Sequence, residues 1–80
     1  MVSAQPPSQC SDIGCNSGRT APQNTWYGEG ASAACETYRS THLSLCTDDC
    51  GGLWGQDVCG SLCAPDLEEP GSYTFMCCCT

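Results

Sequence analysis

From Ala31 to Cys46, apolar and small side chains recur at the i, i+3, i+4, i+7 spacing: Ala31, Ala34, Cys35, Tyr38, His42, Leu45 and Cys46. That period collects them on one face of an α-helix. Glu36, Arg39, Ser40 and Ser44 fall mostly on the other side. Ser32 is the predicted N-cap, with Glu36 in the first turn, and Thr47-Asp48-Asp49 followed by Gly51-Gly52 is the predicted stop. Cys35 and Cys46 then lie about three turns apart and both face the core. A second, shorter helix is predicted from about Leu53 to Cys63, where Cys59 and Cys63 stand at i and i+4 with Val58 and Leu62 beside them. Gly55 and Gly60 weaken that segment, and Pro65 ends it.

The rest of the chain lacks helical periodicity. Residues 1–9, with the Pro6-Pro7 pair, read as a flexible N-terminal segment, and one ordered domain is predicted over residues 10–80. From Cys10 to Gly30 the chain is punctuated by Gly14, Gly18, Pro22 and Gly28, which predicts loop and turn. After an acidic turn, Asp66-Leu67-Glu68-Glu69-Pro70-Gly71, the tail closes on Ser72-Tyr73-Thr74-Phe75-Met76 and three cysteines. This last stretch is β-prone and is predicted to be pinned across the helices. The expected fold is thus small, disulfide-rich and mainly α: a short helical hairpin with a cysteine-tethered C-terminal tail.

Composition changes this picture in one decisive way, because ten of the 80 residues are cysteine. A fraction above roughly 8–10% in a short chain marks a disulfide scaffold. A chain of this size rarely nets more than roughly 3–5 kcal/mol from its core, whereas each disulfide adds about 2–4 kcal/mol. The even count permits full pairing of Cys10, Cys15, Cys35, Cys46, Cys50, Cys59, Cys63, Cys77, Cys78 and Cys79. Such pairing places the chain in an oxidising, extracellular setting, as a secreted product whose signal segment has been removed. No run of apolar residues approaches the length of a membrane span.

Charge narrows the partners. The chain holds two Arg, no Lys, nine Asp plus Glu, and a formal net charge of −7. Its field repels phosphate backbones and anionic headgroups, so neither nucleic acid nor membrane insertion is expected.

The most specific motif is Cys46-x3-Cys50-x8-Cys59-x3-Cys63. Two sulfurs at i and i+4 share a helical face, so two such pairs on neighbouring segments can staple them together. The rival reading is a four-thiolate zinc site, which x3 spacing also allows, but the other six cysteines favour disulfides. No metal or other cofactor is therefore expected. In Cys77-Cys78-Cys79, adjacent side chains of an extended strand point to opposite faces, so the three sulfurs must reach at least two directions. Connectivity stays open at this level, since ten cysteines allow far more pairings than the ~105 open to eight.

Material for catalysis is thin. His42, the sole histidine, lies on the apolar stripe of the predicted helix, where packing is the simpler role. Asp48-Asp49 and Glu68-Glu69 are neighbours on predicted turns, which seldom converge on one substrate. The chain is not read as an enzyme. What remains are aromatic and aliphatic residues set among glycines: Trp26-Tyr27 before Gly28, and Leu53-Trp54 between Gly52 and Gly55. They are either core or interface anchors, and Trp and Tyr are prominent among anchors.

The Cys46, Cys50, Cys59 run, within an acidic, Lys-poor chain and flanked by Ser-Leu-Cys-Thr-Asp-Asp-Cys, resembles the secreted mating pheromones of Euplotes ciliates over residues 31–63. What the resemblance implies is a helical, diffusible signal that binds a protein receptor on a cell surface and self-associates through helix faces. Neither the Cys77–Cys79 triplet nor the Cys10-x4-Cys15 start has a counterpart in that family. Plant α-hairpinins share the Cys-x3-Cys pairs but not the short central spacer, and hydrophobins share only adjacent cysteines. A secreted effector or toxin of a fungus or oomycete carries the same broad signature. The expectation is recognition without catalysis, with Trp26, Tyr27, Leu53 and Trp54 as the predicted partner-binding residues.

Overall fold

The computed structural model describes residues 10–15 and 18–80; the predicted flexible segment 1–9 lies outside the described residues. The described chain forms β1 (Arg19–Trp26), α1 (Ala31–Thr41), α2 (Ser44–Trp54), β2 (Val58–Pro65) and β3 (Tyr73–Cys79). The three strands make one antiparallel sheet in the order β1-β3-β2, with β3 at the centre. The protein is small and disulfide-rich with two helices, but a sheet forms its middle, so the mainly α expectation is corrected.

Two local readings change with it. The segment from Leu53 to Cys63 is not a helix: α2 ends at Trp54, and Cys59 and Cys63 lie on β2. An i, i+4 spacing is even, so it satisfies a period of 2 as readily as a helical face. The predicted loop also hides β1, whose Pro22 masks it; on an edge strand Pro is tolerated, and a bulge between Pro22 and Asn24 absorbs the irregularity.

The predicted helix 31–46 begins where expected and then divides. Its N-cap is Gly30, at φ 82°, rather than Ser32. Near its end the Thr41 hydroxyl bonds the Thr37 and Tyr38 carbonyls at 3.3 and 3.2 Å, and a His42 ring nitrogen lies 2.9 Å from the Tyr38 carbonyl. Such side-chain bonds offer the backbone an alternative to the helical ladder. His42 leaves helical geometry at φ −129°, and α2 starts two residues later. Thr47, Asp48, Asp49, Gly51 and Gly52 therefore sit inside a helix instead of ending one, and Gly55, at φ 65°, closes it.

Why α2 survives two internal glycines is clear from its bridges. Cys46 pairs with Cys77 and Cys50 with Cys79, at Cα separations of 5.1 and 5.5 Å. Four residues of helix advance about 6 Å and two residues of strand about 6.7 Å, so a Cys-x3-Cys helix and a Cys-x-Cys strand are commensurate. Cys35 on α1 joins Cys63 on β2, and both helices thereby lie on one face of the sheet. The core between them comprises Ala21, Phe75 and five of the bridging cysteines, with Trp26, Tyr38, Trp54, Val58 and Tyr73 packed around it.

Cys78, between Cys77 and Cys79, points to the opposite face and bridges to Cys15, while Cys59 bridges to Cys10. A bulge between Val58 and Gly60 turns Cys59 to this outer side, away from Cys63. These four cysteines form a second small cluster, against which Leu62 packs. The loop they tether passes through left-handed backbone at Ser11, Asp12, Ile13 and Cys15.

Candidate functional site

His42 is committed to packing. Its ring stacks on Tyr38 with centroids 3.8 Å apart and planes 6° from parallel. Asp49 accepts a 2.6 Å hydrogen bond from the Gln23 amide, tying α2 to β1, while Asp48 is exposed beside it. Glu68 and Glu69 are exposed on the β2–β3 turn, at the far end of the sheet from where α2 closes. The carboxylate pairs thus do not meet. All ten cysteines are disulfide-bonded, and the two Cys-x3-Cys pairs of the Cys46–Cys63 run are not stapled to each other: Cys46 and Cys50 bridge to β3, Cys59 to the N-terminal loop and Cys63 to α1. Among the described residues no group of three or more His, Cys, Asp or Glu side chains is arranged to hold a metal ion.

The four predicted partner-binding residues separate into two kinds at two poles. Trp26 and Trp54 are half-buried against the core. The Trp26 ring lies 5.1 Å from Tyr38, which meets Phe75 edge-on at 5.9 Å, so it belongs to a chain of packed rings. The Arg19 guanidinium sits 5.2 Å above the Trp54 ring, a cation–π contact. Tyr27 and Leu53, in contrast, are 64% and 59% exposed. Tyr27 follows β1 where it pairs with the start of β3, whereas Leu53 ends α2 near the Cys79 end. The length of β3, about 20 Å at 3.3 Å per residue, lies between them.

Replacing Trp54 by Ala is therefore expected to lower stability by about 2 kcal/mol, roughly half the loss for a fully buried aromatic. At about 4–8 °C per kcal/mol for a domain this small, melting followed by circular dichroism should fall by on the order of 10 °C. A fall under about 2 °C would return Trp54 to the surface reading.

Two further apolar side chains meet solvent. Leu67 is 89% exposed and Leu43 48% exposed. Leu67 leaves a trace in the sequence: a lone Leu between Asp66 and Glu68 in a Pro- and Gly-bounded turn has no apolar neighbours with which to share a face.

Two clefts accompany them. One, of about 390 Å³, opens on the outer sheet face among Pro22, Thr25, Ala64, Leu67, Thr74 and Met76. The other, of about 430 Å³, lies along the β2 edge among Ile13, Leu43, Val58, Gly60 and Arg39. There the Arg39 guanidinium is already held, by Glu36 at 2.9 Å and the Ser61 hydroxyl at 3.1 Å. The disulfide content fits an extracellular setting, and no helix among the described residues is long and apolar enough to cross a membrane. No family model matches the chain, and neither a curated protein nor a solved structure is found that is similar to it.

Proposed function

We propose that this protein is a secreted signalling ligand of pheromone type, which binds a protein receptor on a cell surface. The observation that supports this reading most is the placement of apolar side chains. Five disulfides hold the frame, yet Tyr27, Leu43, Leu53 and Leu67 stand outside it in solvent. A cross-linked frame gives up little conformational entropy on binding, so exposed apolar groups on it make economical contact residues. The net charge of −7 adds long-range attraction to a basic receptor surface. The Cys46, Cys50, Cys59 spacing supports the pheromone class, although Cys59 falls on a strand here and not on a later helix.

The test uses the oxidised protein carrying a fluorophore, added to cells of the producing organism. Saturable binding that excess unlabelled protein displaces, followed by a response of those cells, is the expected result. Absence of binding to the producer, with binding and damage to a host cell, would replace this reading by that of an effector or toxin.

A further inference from the structure

The side chains that alternate away from the helices form the outer face of the sheet: Pro22 and Thr25 on β1, Thr74 and Met76 on β3, Leu62 and Ala64 on β2. Near the Cys78 end this face is covered by the loop from Cys10 to Cys15. Toward the β2–β3 turn it opens as the 390 Å³ cleft. The turn that overhangs this cleft is held by its own hydrogen bonds. Asp66 N–H donates to the Ser72 carbonyl at 3.1 Å, Ser72 N–H and its hydroxyl donate to the Glu69 carbonyl at 3.1 and 2.9 Å, and the Asp66 carboxylate accepts from Glu68 N–H at 2.9 Å. The turn thereby carries Leu67, 89% exposed, at the cleft wall.

Charge around the cleft has one sign. Asp66 lines it, Glu68 and Glu69 follow in solvent on the same turn, and the chain has no Lys. Both Arg are engaged elsewhere, Arg19 above Trp54 at the far end of β1 and Arg39 between Glu36 and Ser61 beside α1. A cleft with Leu67 and Met76 in its wall, and only acidic charge on the turn beside it, is complementary to an apolar side chain flanked by cations. Resting on the reading of the protein as a ligand, we propose that this face is its recognition surface and that it takes an extended Arg- or Lys-flanked apolar segment of a partner protein. The apolar side chain enters beside Leu67 and Met76, and the flanking cations pair with Glu68 and Glu69. A bare hydrophobic partner gains nothing from the carboxylates, and a phosphate-bearing one is repelled by them.

The probe is a synthetic peptide of alternating Arg and Leu, titrated into the full-length, 15N-labelled, oxidised protein. Amide shifts are expected to saturate and to concentrate at Thr25, Ala64, Leu67, Thr74 and Met76, and to weaken as salt is raised from about 20 to 150 mM. Leu67→Ala should weaken binding by about tenfold, the scale of a modest interface anchor, and Glu68→Gln with Glu69→Gln by a similar factor. Asp48→Asn with Asp57→Asn removes as many charges from exposed positions outside the cleft and should change affinity less than about threefold. Equal weakening by the two charge pairs, shifts centred elsewhere, or no binding overturns the proposal. So does partitioning into phosphatidylcholine vesicles without the peptide, which would make the Leu67 face a lipid contact. Failure of the peptide to map here while wild-type protein still binds cells discards the surface and leaves the ligand reading standing. Mapping as expected without any cell binding keeps the cleft and discards the pheromone reading.

Discussion

A variant with Cys46, Cys50, Cys77 and Cys79 all replaced by Ala is expected to be unfolded at 25 °C. The two bridges close chain separations of 31 and 29 residues. Each alone contributes about 3.5 kcal/mol in the chain-entropy account, and the second contributes less because the first already closes nearly the same loop. Together they supply about 5 kcal/mol, which is the lower bound of the roughly 5–15 kcal/mol of a whole domain. The loss is not only entropic. These four side chains are among the seven buried residues of the inner core, so the same change also strips that core of its sulfurs. With Gly51 and Gly52 inside it, α2 has little propensity to persist once released from β3. Near-UV circular dichroism and amide dispersion should both collapse. A cooperative melting transition surviving in this variant would show that the helices stay on the sheet without the double staple.

Phe75→Ala should be the most damaging single substitution that leaves every disulfide in place, costing about 3–5 kcal/mol. Phe75 is 0% exposed and is the largest fully buried side chain. It projects from the central strand toward the helices, pairs across the sheet with Asn24 and Cys63, and meets Tyr38 edge-on. A core this small has few other residues with which to fill the space. Denaturant unfolding of the oxidised variant checks the figure. A change below about 1 kcal/mol would mean that the cross-links, not the packed ring, specify the interior.

Some of this architecture is legible from local rules. The α1 start, the strand over Tyr73–Cys79 and the shared face of Cys46 and Cys50 all follow from periodicities of 3.6 and 2. The triplet divides as an extended strand requires, with Cys77 and Cys79 toward the helices and Cys78 away. Other features resist such rules. β1 reads as loop because Pro22 is a local breaker, and only its edge position beside β3, far along the chain, makes it a strand. The β2 segment shows an even cysteine spacing that helix and strand share, and the bulge at Cys59 that splits its two sulfurs between faces has no sequence signal but Gly60.

The residues predicted to bind a partner show the same division. Glycine-framed aromatics marked Trp26, Tyr27, Leu53 and Trp54 together, but burial depends on what lies across the sheet, and it puts the two Trp rings on the core. The exposed Leu67 is not legible in the same way, because an isolated Leu has no periodic partners to reveal it.

By itself the sequence determined the class of molecule: a cysteine-stapled, acidic, lysine-free chain with a helical middle and a strand-like end. Composition and short-range spacing carry that information, since each is read within a few residues. Tertiary structure decided which cysteines join, that a three-stranded sheet rather than a helical hairpin forms the centre, and which apolar side chains meet solvent. Those outcomes depend on pairings between residues far apart in the chain, and a local pattern that two elements satisfy equally is resolved only when the partner strand or helix arrives.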